Sequence, residues 1–127
     1  MPNPAPGYKQ YPGHKLAVRP AKAHVQVMFK GELIADTRDA VCMEESHVGK
    51  VVAPAVYYFP RKDVRMDRLG RTAHHTHCPF KGEASYYSLN GGPENVVWSY
   101  EQPYDEMMAI KDHVAFYPDK VDIIVAA

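Results

Sequence analysis

Eleven prolines are scattered through this 127-residue chain, and they cut its apolar stretches into pieces too short for long helices. Proline fixes φ and carries no amide hydrogen, so it ends helices and is confined to the borders and edges of sheets. Between the prolines, the apolar residues alternate. Val25, Val27 and Phe29 fall on one side of a strand, with His24, Gln26 and Lys30 on the other. Lys30-Gly31 then predicts a tight turn into Glu32-Leu33-Ile34-Ala35, closing a hairpin. Val41–Glu44, Ala55–Phe59, His113–Tyr117 and Val121–Val125 read as further short strands. Ala84–Leu89 ends at Asn90-Gly91-Gly92-Pro93, a turn signal whose hairpin partner is Glu94–Tyr100. Only Tyr104–Lys111, after Pro103, reads as a helix, with Met107, Met108 and Ile110 as its apolar contacts. The pattern therefore predicts a mostly β domain of about eight short strands and one short helix near 104–111.

Residues 1–20 hold Pro2, Pro4, Pro6, Pro12 and Pro20, with Gly7 and Gly13 between them. This composition predicts an irregular arm that packs through Tyr8, Tyr11 and Leu16, followed by a single β-rich domain over 21–127. The chain is about as long as one domain, for which ~100–150 residues is common. Fifteen basic residues balance fifteen acidic ones, and no basic stripe is present, so nucleic acid is not the expected partner. Arg61-Lys62 and Arg65, Arg68 and Arg71 are interleaved with Asp63 and Asp67, the pattern of a solvated loop or strand face. The start has neither a basic segment nor an apolar core, and no apolar run is long enough to span a bilayer. With Cys42 and Cys78 outside any Cys-x-x-Cys pair, the expectation is a cytoplasmic protein with two free thiols, not bound to a membrane.

Several segments, taken in order, carry a likeness. They are Gly31–Thr37, Tyr57-Tyr58-Phe59-Pro60-Arg61-Lys62-Asp63-Val64, Thr76-His77-Cys78-Pro79-Phe80-Lys81-Gly82-Glu83-Ala84-Ser85-Tyr86-Tyr87, Val97–Tyr100, and His113–Pro118 with Val121-Asp122. Over nearly its whole length the chain resembles the family catalogued as domain of unknown function 427. The resemblance implies a compact bacterial or fungal protein built on a β-tent-like fold of antiparallel sheets, with no established reaction. That family has been labelled nucleotidyltransferase-like, yet the strand–Gly-Ser–paired-aspartate pattern of metal-dependent nucleotidyl transfer is missing here. Structural zinc in other β-tent proteins sits on two Cys-x-x-Cys pairs, which this chain also lacks. No cofactor or metal is expected.

Cys78 lies between His77 and Pro79, with Lys81 three positions on. Positive charge nearby favours a thiolate, which with a base beside it is a nucleophile; a small residue packed at a proline turn is the plainer alternative. His74, His75 and His77 invite a metal reading, but on a strand His75 and His77 share one face and Cys78 the other. Lys81-Gly82 suits an anion contact or simply a turn. Glu44 and Asp63 are candidate acid–base carboxylates, Asp63 alternatively pairing with Arg61 or capping a turn. The dense aromatic residues pack a core or line a cleft near Arg61, Asp63 and Lys81.

Three functions follow from these residues. The first is a domain that binds a small polar or anionic ligand in an aromatic-lined groove, with Lys81, Arg61 and Asp63 supplying charge and Tyr58, Tyr86 and Trp98 supplying surface. The second is a thiol-dependent enzyme using Cys78 with His77, for which methionine sulfoxide reductase B is a fold-level analogy only. The third is a protein-interaction module using the arm or an edge strand.

Overall fold

A computed structural model describes residues 2–127; it is mostly β, and its strands pair antiparallel. Eleven strands form among the described residues: β1 His14–Pro20, β2 His24–Phe29, β3 Glu32–Thr37, β4 Val41–His47, β5 Lys50–Val51, β6 Val56–Tyr58, β7 Leu69–Cys78, β8 Gly82–Leu89, β9 Val97–Ser99, β10 Val114–Phe116 and β11 Asp122–Ala126. They make three sheets. One is ordered β10-β9-β8-β7, a second β11-β2-β3, and in the third β4 pairs with β1, β5 and β6. The predicted hairpin turn has Lys30 at φ 47° and Gly31 at φ 80°, a left-handed pair that matches strand twist in a two-residue connection. Phe29 accordingly faces Glu32 across it.

The sheet β10-β9-β8-β7 is covered on both faces by the alternation of its own side chains. Tyr87 and Leu89 of β8, Val97 of β9, and Val114 and Phe116 of β10 join Val25, Val27, Ile34 and Phe59 in one core cluster. Ala84, Tyr86 and Ala115 turn the other way and meet Leu16, Met43, Tyr58, Phe80, Tyr100 and Met107 in a second. Phe59, Ile34 and Tyr58 are fully buried. The Phe59–Val114 bridge, with both amides donating to the opposite carbonyls, stitches two sheets together between these cores.

Three local expectations change. The end of the proline-rich arm is not irregular: His14–Pro20 pairs residue for residue with Val41–His47, since Leu16 needs burial and Pro20 sits at the strand's last position, where a missing donor costs little. Residues 2–13 remain outside the sheets, with one turn of helix, α1, at Gly7–Gln10. The segment near 104–111 is a 3₁₀ stretch over Asp105–Ile110, kinked at Met107 (φ −115°, ψ 19°); it turns inward to bury Met107 and Ile110 rather than following an α-helical stripe. The longest strand, β7, lies where mixed charge and histidines read as loop or solvated face. It is an edge strand, mostly exposed, so it has no apolar alternation to announce it.

Candidate functional site

Strand β7 pairs with β8 through a bulge. Arg71 faces Tyr87 and His75 faces Ser85, so residues 72–74 oppose Tyr86 alone. Bulges leave residues unpaired and re-aim their side chains. Here the His74 ring lies 4.5 Å from that of Tyr86, tilted by 60°, and Thr72 donates to Asn95 Oδ1 at 2.6 Å. Arg71 and His75 then emerge on the same face as Ser85 and Tyr87, beside Ser99, which faces Ser85 from β9. Pro60 introduces a 3₁₀ turn, Arg61–Asp63, that carries Arg61 to this face.

Glu101, just beyond β9, is the centre of the arrangement. Arg71 grips it bidentately, Nη1 to Oε2 at 2.9 Å and Nη2 to Oε1 at 2.8 Å. Ser85 Oγ donates to Oε1 at 3.0 Å, Tyr87 Oη to Oε2 at 3.3 Å and Arg61 Nη2 to Oε2 at 3.2 Å. Planar guanidinium–carboxylate pairs of this kind are strong and directional. These bonds, led by that from Arg71, outweigh partial burial and hold the Glu101 carboxyl down at about 2; the same contacts push the Arg71 guanidinium upward. Arg71 also donates to Tyr87 Oη at 3.1 Å and Ser85 Oγ at 3.1 Å. Arg61 is fixed separately by the Asp112 carbonyl (2.6 Å) and the buried Ser99 hydroxyl (3.0 Å). Both guanidiniums lie near the Tyr87 ring, 5.7 and 5.8 Å from its centroid, in cation–π contact.

Above this network is an open recess of about 300 Å3 lined by Arg71, His75, Glu83, Ser85, Glu101 and Gln102. On its rim, His75 Nδ1 stands 3.3 Å from Glu83 Oε1. Gly82 shapes the neighbouring chain. At φ +116° it allows the backbone of Gln102 and Pro103 to approach where a Cβ would meet the Gln102 carbonyl at 3.3 Å. Tyr104 N then donates to the Lys81 carbonyl, securing the segment after Glu101.

The residues singled out from the sequence divide among several places. Arg61 belongs to the Glu101 network. Asp63 accepts from Thr37 Oγ1 at 2.7 Å beside Lys62 and lines a different depression with Ile34, Lys62 and Arg65. Lys81 sits 5.5 Å over the Tyr100 ring. Tyr58 is fully buried and its phenol is pushed up by that burial; Trp98 Nε1 donates to its oxygen at 3.4 Å. Tyr86 is buried, within hydrogen-bonding distance of Thr76 Oγ1 (2.9 Å). Trp98 instead helps line an apolar groove of about 440 Å3 with Val56, Tyr57, Phe116, Ile123 and Val125. Glu44 pairs with Arg19 at the surface.

Cys78 and His77 are adjacent on β7 and turn to opposite faces. His77 Nε2 lies 2.7 Å from Tyr104 Oη, while Cys78, half-buried, packs against the second core cluster. The structure thus brings together Arg61 with Arg71, Ser85, Tyr87 and Glu101, and it does not gather Lys81, Asp63 and Tyr58 around them. Glu101 carries no mark in the sequence and Arg71 reads there only as part of a solvated charged face, because their meeting depends on cross-strand register. The one trace is Glu101-Gln102-Pro103, a polar tail one residue beyond the strand Val97–Ser99.

Among the described residues no helix is long and apolar enough to cross a membrane. No curated protein matches this chain. Residues 17–127 match the family model described as a domain of unknown function (DUF427). The match spans all the strands from the middle of β1 onward, including every residue of the Glu101 network, and the chain belongs to the DUF427 family.

Proposed function

We propose that this chain is a small-molecule-binding domain whose ligand is a compact polar molecule bearing an anionic group, seated in the Arg71 recess. The observation that carries this reading is the guanidinium of Arg71, half exposed at the recess yet held by four hydrogen-bonding atoms of Ser85, Tyr87 and Glu101. Two guanidiniums, those of Arg61 and Arg71, converge on the Glu101 carboxylate, while the Glu83 carboxylate on the rim faces His75. Among the described residues Arg61 Nη1 and Arg71 Nε make no hydrogen bond within the chain. A preorganised cation of this kind binds an oxyanion without the ordering cost of a free side chain. Ser85, Gln102 and the His75–Glu83 pair provide polar neighbours. In the same reading the domain works in the bacterial cytoplasm, where the free thiols of Cys42 and Cys78 stay reduced.

A thermal-shift panel of small carboxylates, phosphate esters and sulfonates tests this. A ligand at one hundred times its Kd adds about 2.7 kcal/mol of stability and raises the Tm of the wild type. Arg71→Met removes that rise relative to its own baseline. Equal shifts in both proteins, or none from any anion, refute the assignment.

A further inference from the structure

Residues 2–13 lie across the turn that follows β7, bonded there to Pro79, Asp105 and Glu106, and at their far end Val48 N donates to the Gly13 carbonyl at 2.8 Å. Gly7 N donates to the Pro79 carbonyl at 3.0 Å, one residue beyond Cys78. Asn3 N donates to Asp105 Oδ2 at 2.8 Å, Asp105 N returns a bond to the Asn3 carbonyl at 2.9 Å, and Ala5 N donates to Glu106 Oε1 at 2.9 Å. Tyr8 meets the Phe80 ring edge-on at 5.1 Å, whereas Tyr11 is half exposed. Tyr8 and Cys78 both pack against the second core cluster, which contains Phe80. Gly7 touches Phe80 so closely that a Cβ there would lie 2.7 Å from two ring carbons.

Immediately after this segment the attachment changes character. From His14 onward every residue to Pro20 is paired with β4, and His14 stacks 4.5 Å from Phe80. The family match begins at residue 17, so residues 2–13 lie outside it. Four prolines in this stretch (Pro2, Pro4, Pro6 and Pro12) remove donors that would otherwise tie it down. Segments with few buried contacts and exposed hydrogen bonds open locally at much lower free energy than the core.

We propose that residues 2–13 are a strap that detaches as a unit about Gly13, and that detachment uncovers the Cys78 thiol and the Phe80 ring. Arm and thiol are thereby coupled: whatever displaces the arm makes Cys78 reactive, and whatever pins it protects Cys78. The recess around Arg71 is not needed for this inference, because Cys78 lies on the other face of β7.

The test is alkylation of the full-length protein with iodoacetamide, with both cysteines followed by peptide mass spectrometry. Cys42, only 3 % exposed in β4, reports global opening in the same sample. Gly7→Val forces the clash with Phe80, and Tyr8→Ala removes the edge contact without adding bulk. Each is expected to speed Cys78 alkylation by about tenfold or more, the factor that ~1.4 kcal/mol of lost local stability gives, while Cys42 stays slow. Should Cys78 react no faster in either variant than in the wild type, or should Cys42 accelerate in step with it in both, the strap does not exist as a separate unit.

Discussion

Replacing Glu101 with glutamine keeps its shape and removes the charge that two guanidiniums share. In the wild type the carboxyl is displaced from an ordinary 4.5 to about 2. Such a displacement is nominally ~3 kcal/mol of preference for the ionised form. The side chain keeps 28 % of its surface in water, and screening there reduces the contribution to ~2 kcal/mol. Glu101→Gln is therefore expected to destabilise the fold by ~2 kcal/mol at pH 7, since it also leaves Arg61 and Arg71 facing each other without a counter-charge. For a domain of this length that corresponds to a fall in Tm of roughly 6–12 °C. The folded-state pKa is lowered, so the stabilisation is complete above pH 4.5 and is lost as the pH falls through 4.5 toward about 2. Urea unfolding at a series of pH values measures both quantities. The wild type and Glu101→Gln should differ by a constant amount from pH 5 to pH 8 and converge below pH 4. A gap under ~0.5 kcal/mol at pH 7, or one that persists unchanged to pH 2.5, would refute the view of Glu101 as a locked anion.

Other substitutions separate the core and backbone from the surface. Phe59→Ala empties a fully buried site between two sheets, where Phe59 packs edge-on to Phe116 at 5.5 Å; chemical denaturation should show a loss of ~3–5 kcal/mol. Gly82→Ala puts a side chain at φ +116° against the Gln102 carbonyl, with an expected cost of ~1–3 kcal/mol, and new amide shifts in Gln102 and Tyr104 should accompany it. Arg65→Ala removes a surface pair with Asp67 in which both side chains are more than half exposed; its unfolding midpoint should move by no more than ~0.5 kcal/mol in equivalent stability.

The parts of the fold that alternate were legible in the sequence. Val25, Val27 and Phe29, the Lys30-Gly31 turn, and the aromatic hairpin around Asn90-Gly91 obey local rules of period and turn chemistry, and the structure pairs them accordingly. Strand β7 was not legible, because an exposed edge strand with a bulge has no apolar rhythm, and its register depends on β8 rather than on itself. The site shows the same division. Arg61 is marked by its place after Pro60, but its partners Arg71 and Glu101 are set by the meeting of β7, β8 and the end of β9. Tyr58 and Tyr86 are aromatic residues whose rings the two-sided sheet consumes as core. The closeness of Cys78 and His77 in sequence gave them a joint role on paper, while strand alternation sends their side chains to opposite faces.

Occupancy of the recess above Glu101 by a ligand is best read by an amide-resolved NMR titration. The 15N-labelled protein would be titrated with the same panel of small carboxylates and phosphate esters, beside Arg71→Met. Saturable shifts are expected, confined to Arg71, His75, Ser85, Glu101 and Gln102 and absent from the variant. Shifts that map instead to the groove at Trp98 and Phe116, or that survive in Arg71→Met, would contradict it.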